Sequence, residues 1–211
     1  MIHVTVVDDH PLVREGIKKV LDKESDIKVI GEAADGNGAI DLIDDRLPDI
    51  LIVDLTMPGK SGLELIKDIK KRHPNLPVLV LSIHPSERFA VRSLKAGASG
   101  YLSKSSISEE LIDAIHTVIS DKRKYITAEV AELLAQQVDH NGDNTLHTTL
   151  SDREFEVLCM IASGKDVGQI ALELSLSVNT IHTYRSRIKD KMSLESNVEM
   201  TRYAIQNDLI S

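Results

Sequence analysis

A chain of 211 residues is long for one small domain and suits two. With 42% apolar, 27% charged and only 3% aromatic residues, it reads as a globular protein whose cores are built from Ile, Leu, Val and Ala. A net charge of −8 argues against coating nucleic acid by bulk charge, the single Cys159 excludes an internal disulfide, and no apolar run reaches the roughly 18 residues of a membrane span, so a cytoplasmic protein is expected.

In chain order, residues 1–120 alternate between two periods. Short β-branched runs at 4–7, 27–30, 50–53, 78–81 and 100–102 are separated by segments of helical period. Val13, Ile17, Val20 and Leu21 share one helix face, as do Leu63, Ile66 and Ile69, and Leu111, Ile115, Val118 and Ile119. The third and fourth runs are apolar throughout, as parallel strands covered on both sides should be. Five strands each followed by a helix predict an α/β fold, a doubly wound five-stranded parallel sheet.

Residues 127–138 carry a helical pattern, and the polar, turn-rich stretch 139–149 reads as a flexible linker. Beyond it there is no strand signal. Ser151 and Glu154 fit a capping box, with Leu150 and Phe155 placed as a hydrophobic staple. Asp166 and Ser177 can cap two further helices, ending near Leu174 and Met192, and a last helix is expected over 198–207. The expected division is an α/β domain over 1–121, a linker with a helix over 122–148, and an all-α helix-turn-helix domain over 149–211.

Doubly wound sheets bind ligands at the carboxyl ends of their strands. Here those ends carry Asp8 and Asp9, Asp54, Ser82 and Lys104. One aspartate at a strand end is ordinarily a cap or turn residue; this set spread over four ends is not. Three clustered carboxylates repel one another unless a cation sits among them, and oxygen donors that leave room for water suit Mg²⁺. So neutralised, Asp54 could attack a phosphoryl group, with Lys104 as the fixed cation and the Ser82 hydroxyl donating to a phosphoryl oxygen.

Residues 1–120 resemble the flavodoxin-like receiver domains of two-component response regulators. The resemblance rests on Val7-Asp8-Asp9-His10, Val53-Asp54-Leu55-Thr56-Met57-Pro58-Gly59, Leu81-Ser82, Ala96-Gly97-Ala98 and Gly100-Tyr101-Leu102-Ser103-Lys104. It implies that Asp54 takes a phosphoryl group from a sensor histidine kinase. It implies that Asp9, Asp54 and the backbone carbonyl of Thr56 bind Mg²⁺ with Asp8 assisting, and that Ser82 and Tyr101 form a switch pair. Ser105 stands where many receivers have a proline after a cis peptide. A non-proline cis bond costs about 3 kcal/mol, so the isomer of the 104–105 bond stays open. An aspartyl-phosphate phosphohydrolase would need a second aspartate where Thr56 stands. A flavin- or nucleotide-binding module would need a glycine-rich loop where Asp8-Asp9-His10-Pro11 stands. The intact acidic set also argues against a receiver governed by protein contact alone.

In the helix after Ser177, Ile181, Tyr184, Ile188 and Met192 share one face, and His182, Thr183, Ser186 and Lys189 lie near the opposite one. Arg185, Arg187, Lys189 and Lys191 concentrate positive charge there, although residues 149–211 hold seven Lys/Arg against nine Asp/Glu. As the second helix of a helix-turn-helix it would enter the major groove. Residues 149–211 resemble the LuxR-type domain of the NarL/FixJ subfamily. That match rests on residues 150–158, Ile161-Ala162-Ser163-Gly164, Gln169-Ile170-Ala171, Leu174-Ser175-Leu176-Ser177 and residues 180–186. It implies base contacts from His182, Thr183 and Ser186, and phosphate contacts from Arg185, Arg187, Lys189 and Lys191. It also implies a homodimer on phosphorylation, formed partly through the last helix and reading paired half-sites in double-stranded DNA. His182 replaces a usual lysine and Tyr184 a usual histidine. Gly168 inside the second helix costs about 1 kcal/mol. None of the eight histidines has zinc-ligand spacing with the cysteine, and His10, ahead of Pro11, stands at the rim of the acidic site.

Overall fold

The β-branched runs form strands β1 (Ile2–Val7), β2 (Ile27–Ala33), β3 (Ile50–Asp54), β4 (Val78–Ser82) and β5 (Gly100–Ser103). All pair in parallel, in the order β2-β1-β3-β4-β5. The computed structural model describes residues 1–82, 87–139 and 146–210. By contacts the chain separates into two units, Met1–Leu134 and Ala135–Ser211. No described helix is long and apolar enough to cross a membrane.

In the first unit the strands alternate with α1 (Pro11–Leu21), α2 (Gly36–Asp45), α3 (Gly62–Arg72), α4 (Glu87–Lys95) and α5 (Ile107–Ile119); α6 (Ala128–Asp139) follows and runs across the division at Leu134. Every residue of β3 and β4 is buried, as their unbroken apolar runs require. Each such aliphatic side chain contributes about 1.5–3 kcal/mol by leaving water. Val4, Val6, Ile50, Ile52, Leu79 and Leu81 pack with Ile17 and Leu21 of α1 and with Leu111 and Ile115 of α5; Val13, Val20 and Ile119 pack against them half-buried. Leu63, Ile66 and Ile69 of α3 are buried as expected, together with Leu65. Ser61 opens α3 with a reciprocal capping box to Glu64, and Lys70, Lys71 and Arg72 close it against the helix dipole. Strand order reverses between β1 and β3, so the crevice of this sheet lies at the carboxyl ends of those two strands.

In the second unit α7 (Asp152–Ala162), α8 (Val167–Glu173), α9 (Val178–Met192) and α10 (Asn197–Gln206) follow a short 3₁₀ turn, Leu146–Thr149. Ser151 and Glu154 make their capping box, Asp166 and Gln169 make another, and Ser177 accepts from the Thr180 amide. Leu150 and Phe155 are both buried. A Cβ on Gly168 would come within 3.1 Å of Asp166 Oδ1, the oxygen that caps α8. That crowding gives the glycine a local reason.

Two readings need revision, and one left open is resolved. The last helix runs one residue earlier than expected because Ser196 caps it, accepting from Glu199. The predicted linker does not extend to 149: residues 146–149 are a turn in which buried His147 sets Nδ1 2.9 Å from the Tyr203 hydroxyl. Residues 140–145 of that linker lie outside the described residues, as do His84 and His140. Among the described residues no peptide bond is cis, so Lys104–Ser105 is trans. The Ser105 amide donates to Ser103 Oγ at 3.3 Å, a bond that a proline could not make.

Candidate functional site

Asp54 is the last residue of β3, and Asp8 follows β1. Val7 pairs with Val53, so the two aspartates leave neighbouring strands side by side at the crevice. Both are buried, at 1% and 2% exposure. Lys104, first after β5, reaches back across the sheet edge and places Nζ 2.7 Å from Oδ2 of each. The Thr56 amide donates to Asp54 Oδ1 at 3.3 Å. The His10 amide donates to Asp8 Oδ1 at 2.8 Å, and Arg14 Nη1 donates to the Asp8 carbonyl at 2.6 Å. Asp9 is less buried, with Oδ1 2.8 Å from His10 Nδ1.

One lysine stands among three carboxylates. Burial pushes Asp54 up to about 6, and Asp8 adds to the rise; Lys104 and the Thr56 amide pull the other way without reversing it. Burial would lower Lys104, but Asp54 and Asp8 outweigh it and hold the ammonium above its ordinary range. Two buried oxygens, Asp8 Oδ2 and Asp9 Oδ1, meet only the Lys104 ammonium at 2.7 Å and His10 Nδ1 at 2.8 Å, respectively, so each carboxylate keeps lone pairs to spare. Asp8, Asp9, His10 and Asp54 each offer a ligand atom, all within 4.8 Å of one another. Oxygen donors, excess negative charge and unsatisfied lone pairs together fit a divalent cation.

Ser82 ends β4, fully buried, one register position beyond the partner of Asp54, and the Tyr101 ring is buried on β5 opposite Val80. Sheet register thus places Ser82 beside Asp54 and Tyr101 one strand farther away. Two contributors escaped the sequence reading. Gly62 opens α3 so close to the strand end that a Cβ would lie 2.2 Å from the Asp54 carbonyl oxygen. Arg14 anchors the main chain at Asp8. The only sequence signal for the first is a glycine just after a capping serine, where better helix formers are available.

On α9, Ile181, Ile188 and Met192 are buried and Tyr184 is half-buried, while His182, Thr183, Ser186 and Arg187 are exposed and Arg185 is half-buried. Thr183 Oγ1 donates to the Asn179 carbonyl. Two of the cations already have partners: Lys191 Nζ lies 2.6 Å from Glu154 Oε2, and Lys189 Nζ donates to the Glu195 carbonyl. The first contact keeps Glu154 ionised; burial opposes it, and the Lys191 ammonium together with hydrogen bonds from Ser151 outweighs burial and lowers the Glu154 carboxyl.

Comparison with known proteins agrees with this geometry. Residues 4–116 match the family model described as the response regulator receiver domain, and residues 148–204 match that of bacterial regulatory proteins of the luxR family. The chain is 35% identical over 210 residues to the response regulator UvrY of Escherichia coli K12, covering 99% of this chain and 96% of UvrY. It is 36% identical over 216 residues to the response regulator GacA of Pseudomonas aeruginosa, covering 100% and 98%. Among solved structures it is similar to RcsB of Salmonella enterica serovar Typhimurium bound to promoter rprA in the presence of the phosphomimetic BeF3⁻, with a TM-score of 0.63, 28% identity and coverage of 96% and 98%. The chain therefore belongs to the response regulators of two-component systems, transcriptional regulators that join a receiver domain to a LuxR-type DNA-binding domain.

Proposed function

We propose that Asp54 is the phosphoacceptor, charged by a sensor histidine kinase, and that Mg²⁺ is the cation of the site. The carrying observation is Lys104 Nζ lying 2.7 Å from both Asp54 and Asp8, one cation against a cluster in which Asp8, Asp9 and Asp54 bring ligand atoms within 4.8 Å of one another. Asp9, Asp54 and the Thr56 carbonyl would hold Mg²⁺, with Asp8 assisting; bound there it supplies neutralisation of the acids and of the incoming phosphoryl charge. An Asp54 carboxylate oxygen forms the new bond to phosphorus as the phosphorus–nitrogen bond of the donor phosphohistidine breaks and the imidazole leaves with that electron pair. Lys104, already against Asp54 Oδ2, stays in place for a phosphoryl oxygen, and Ser82 donates to another from the neighbouring strand. The Tyr101 ring follows Ser82 as the second member of the switch pair.

The reading divides the chain into a receiver over 1–121, a connecting segment over 122–148 and a DNA-binding domain over 149–211, working in the cytoplasm. On α9 the exposed His182, Thr183 and Ser186 read bases, and Arg185, Arg187, Lys189 and Lys191 meet phosphates. A homodimer formed on phosphorylation presents two such helices to paired half-sites of double-stranded DNA. Its relative RcsB has been solved on promoter DNA with a phosphomimetic, and as two dimers on two parallel DNAs.

Acetyl phosphate with Mg²⁺ is expected to add one phosphoryl group to the wild-type chain and none to Asp54→Asn, read by intact-mass spectrometry. Equal labelling of the variant would remove Asp54 from this role.

A further inference from the structure

We propose that His10 is an imidazole ligand of the acidic site, and that it draws the site toward borderline divalent ions such as Co²⁺, Ni²⁺ and Zn²⁺. The proposal rests on reading the acidic cluster as a divalent-cation site.

His10 is held in place by its own main chain. Its amide donates to Asp8 Oδ1, and the following Pro11 restricts it to the extended region, where it sits at φ −90° and ψ 110°. The ring is thereby carried over the acid pair, with Nδ1 2.8 Å from Asp9 Oδ1 and 3.4 Å from Asp8 Oδ1. Neighbouring donors on a six-coordinate ion with bonds of about 2.1 Å stand about 3 Å apart. The nitrogen therefore occupies the position of a ligand adjacent to both carboxylates. Asp8, 1% exposed, offers one carboxylate oxygen to Lys104 at 2.7 Å and one toward His10, so His10 completes the four-residue cluster of donor atoms. The ring itself is mostly exposed, so the imidazole closes the site from its solvent side.

Oxygen donors alone favour hard ions such as Mg²⁺. One imidazole among them adds most to the ions later in the first transition row, where nitrogen ligation gains strength. The same two distances fit an imidazolium paired with the acids. The two descriptions part on whether an arriving cation keeps the ring or displaces it.

The test uses the full chain with Co²⁺ alone and Mg²⁺ alone. A cobalt-bound imidazole shows an exchangeable N–H proton shifted far outside the ordinary NMR range. That signal is expected in the wild type and absent from both His10→Ala and His10→Gln. By calorimetry, Co²⁺ affinity should fall about tenfold in either variant, and by more than Mg²⁺ affinity falls. Cobalt-loaded wild type lacking the shifted proton, or variants that keep both the signal and the affinity, would overturn the proposal. Full Mg²⁺ affinity in Asp54→Asn would instead overturn the underlying reading of the acidic site, whatever His10 does.

Discussion

Asp54 depends on its neighbours more than on its own chemistry. Burial and Asp8 favour its protonated form; on the proposed reading the attacking form is the carboxylate, so a cation that neutralises the cluster would also ready the nucleophile. On the proposed reading Mg²⁺ binds the folded chain, so at a hundred times its dissociation constant it should add about 2.7 kcal/mol to stability, and Asp9→Asn should lose most of the gain. Thermal unfolding with and without Mg²⁺ measures both. Gly62 is the second residue on which the site turns. A methyl group there meets the Asp54 main chain at 2.2 Å, so Gly62→Ala should cost about 1–3 kcal/mol in urea unfolding and slow labelling of Asp54 by acetyl phosphate. The acids were legible in the sequence because their chemistry is written in their residue types. Gly62 and Arg14 were not, because they act through backbone proximity and a carbonyl contact that only the folded chain creates.

Among the elements, those with a strong period were legible: the alternation of β-branched runs and helical faces reproduces the sheet and its helices, and the capping serines mark helix starts to within a residue. What lacked a period was missed. The turn at 146–149 is held by Tyr203, 56 residues away, and nothing local announces that contact. The segment after α5 behaves likewise. Tyr125 returns to the sheet edge, where its amide donates to the Ser99 carbonyl and its own carbonyl accepts from Tyr101. Its hydroxyl donates to Glu110 Oε2 at 3.1 Å, tying this segment to α5. Burial first, and then Glu110, push the phenol up to about 12. A folded-state value above the unfolded one of about 10 favours folding below pH 10 and loses that contribution as pH rises from 10 through 12. Stability should therefore decline across that interval, and Tyr125→Phe should flatten the decline when urea midpoints are compared at pH 9 and pH 11.5, values spanning roughly the titration.

At the scale of the whole molecule, a chain of net charge −8 would on the proposed reading meet DNA through one helix face rather than by general attraction. Each phosphate contact contributes about −0.9 to the slope of log affinity against log salt. Arg187→Ala should reduce the slope by about that amount per protomer. Lys191→Ala should reduce it less, because its ammonium already serves Glu154 of the capping box. A gel-shift series over salt concentration decides between them, and equal reductions would mean that Lys191 leaves Glu154 when DNA arrives.

The sparse aromatic content has a practical corollary. Without tryptophan, ultraviolet fluorescence comes from four phenol rings, and one of them, Tyr101, is enclosed on the strand next to Ser82. Phosphorylation is expected to alter its emission in the unlabelled protein, and Tyr101→Phe would isolate that share of the light, so the proposed switch would carry its own dye.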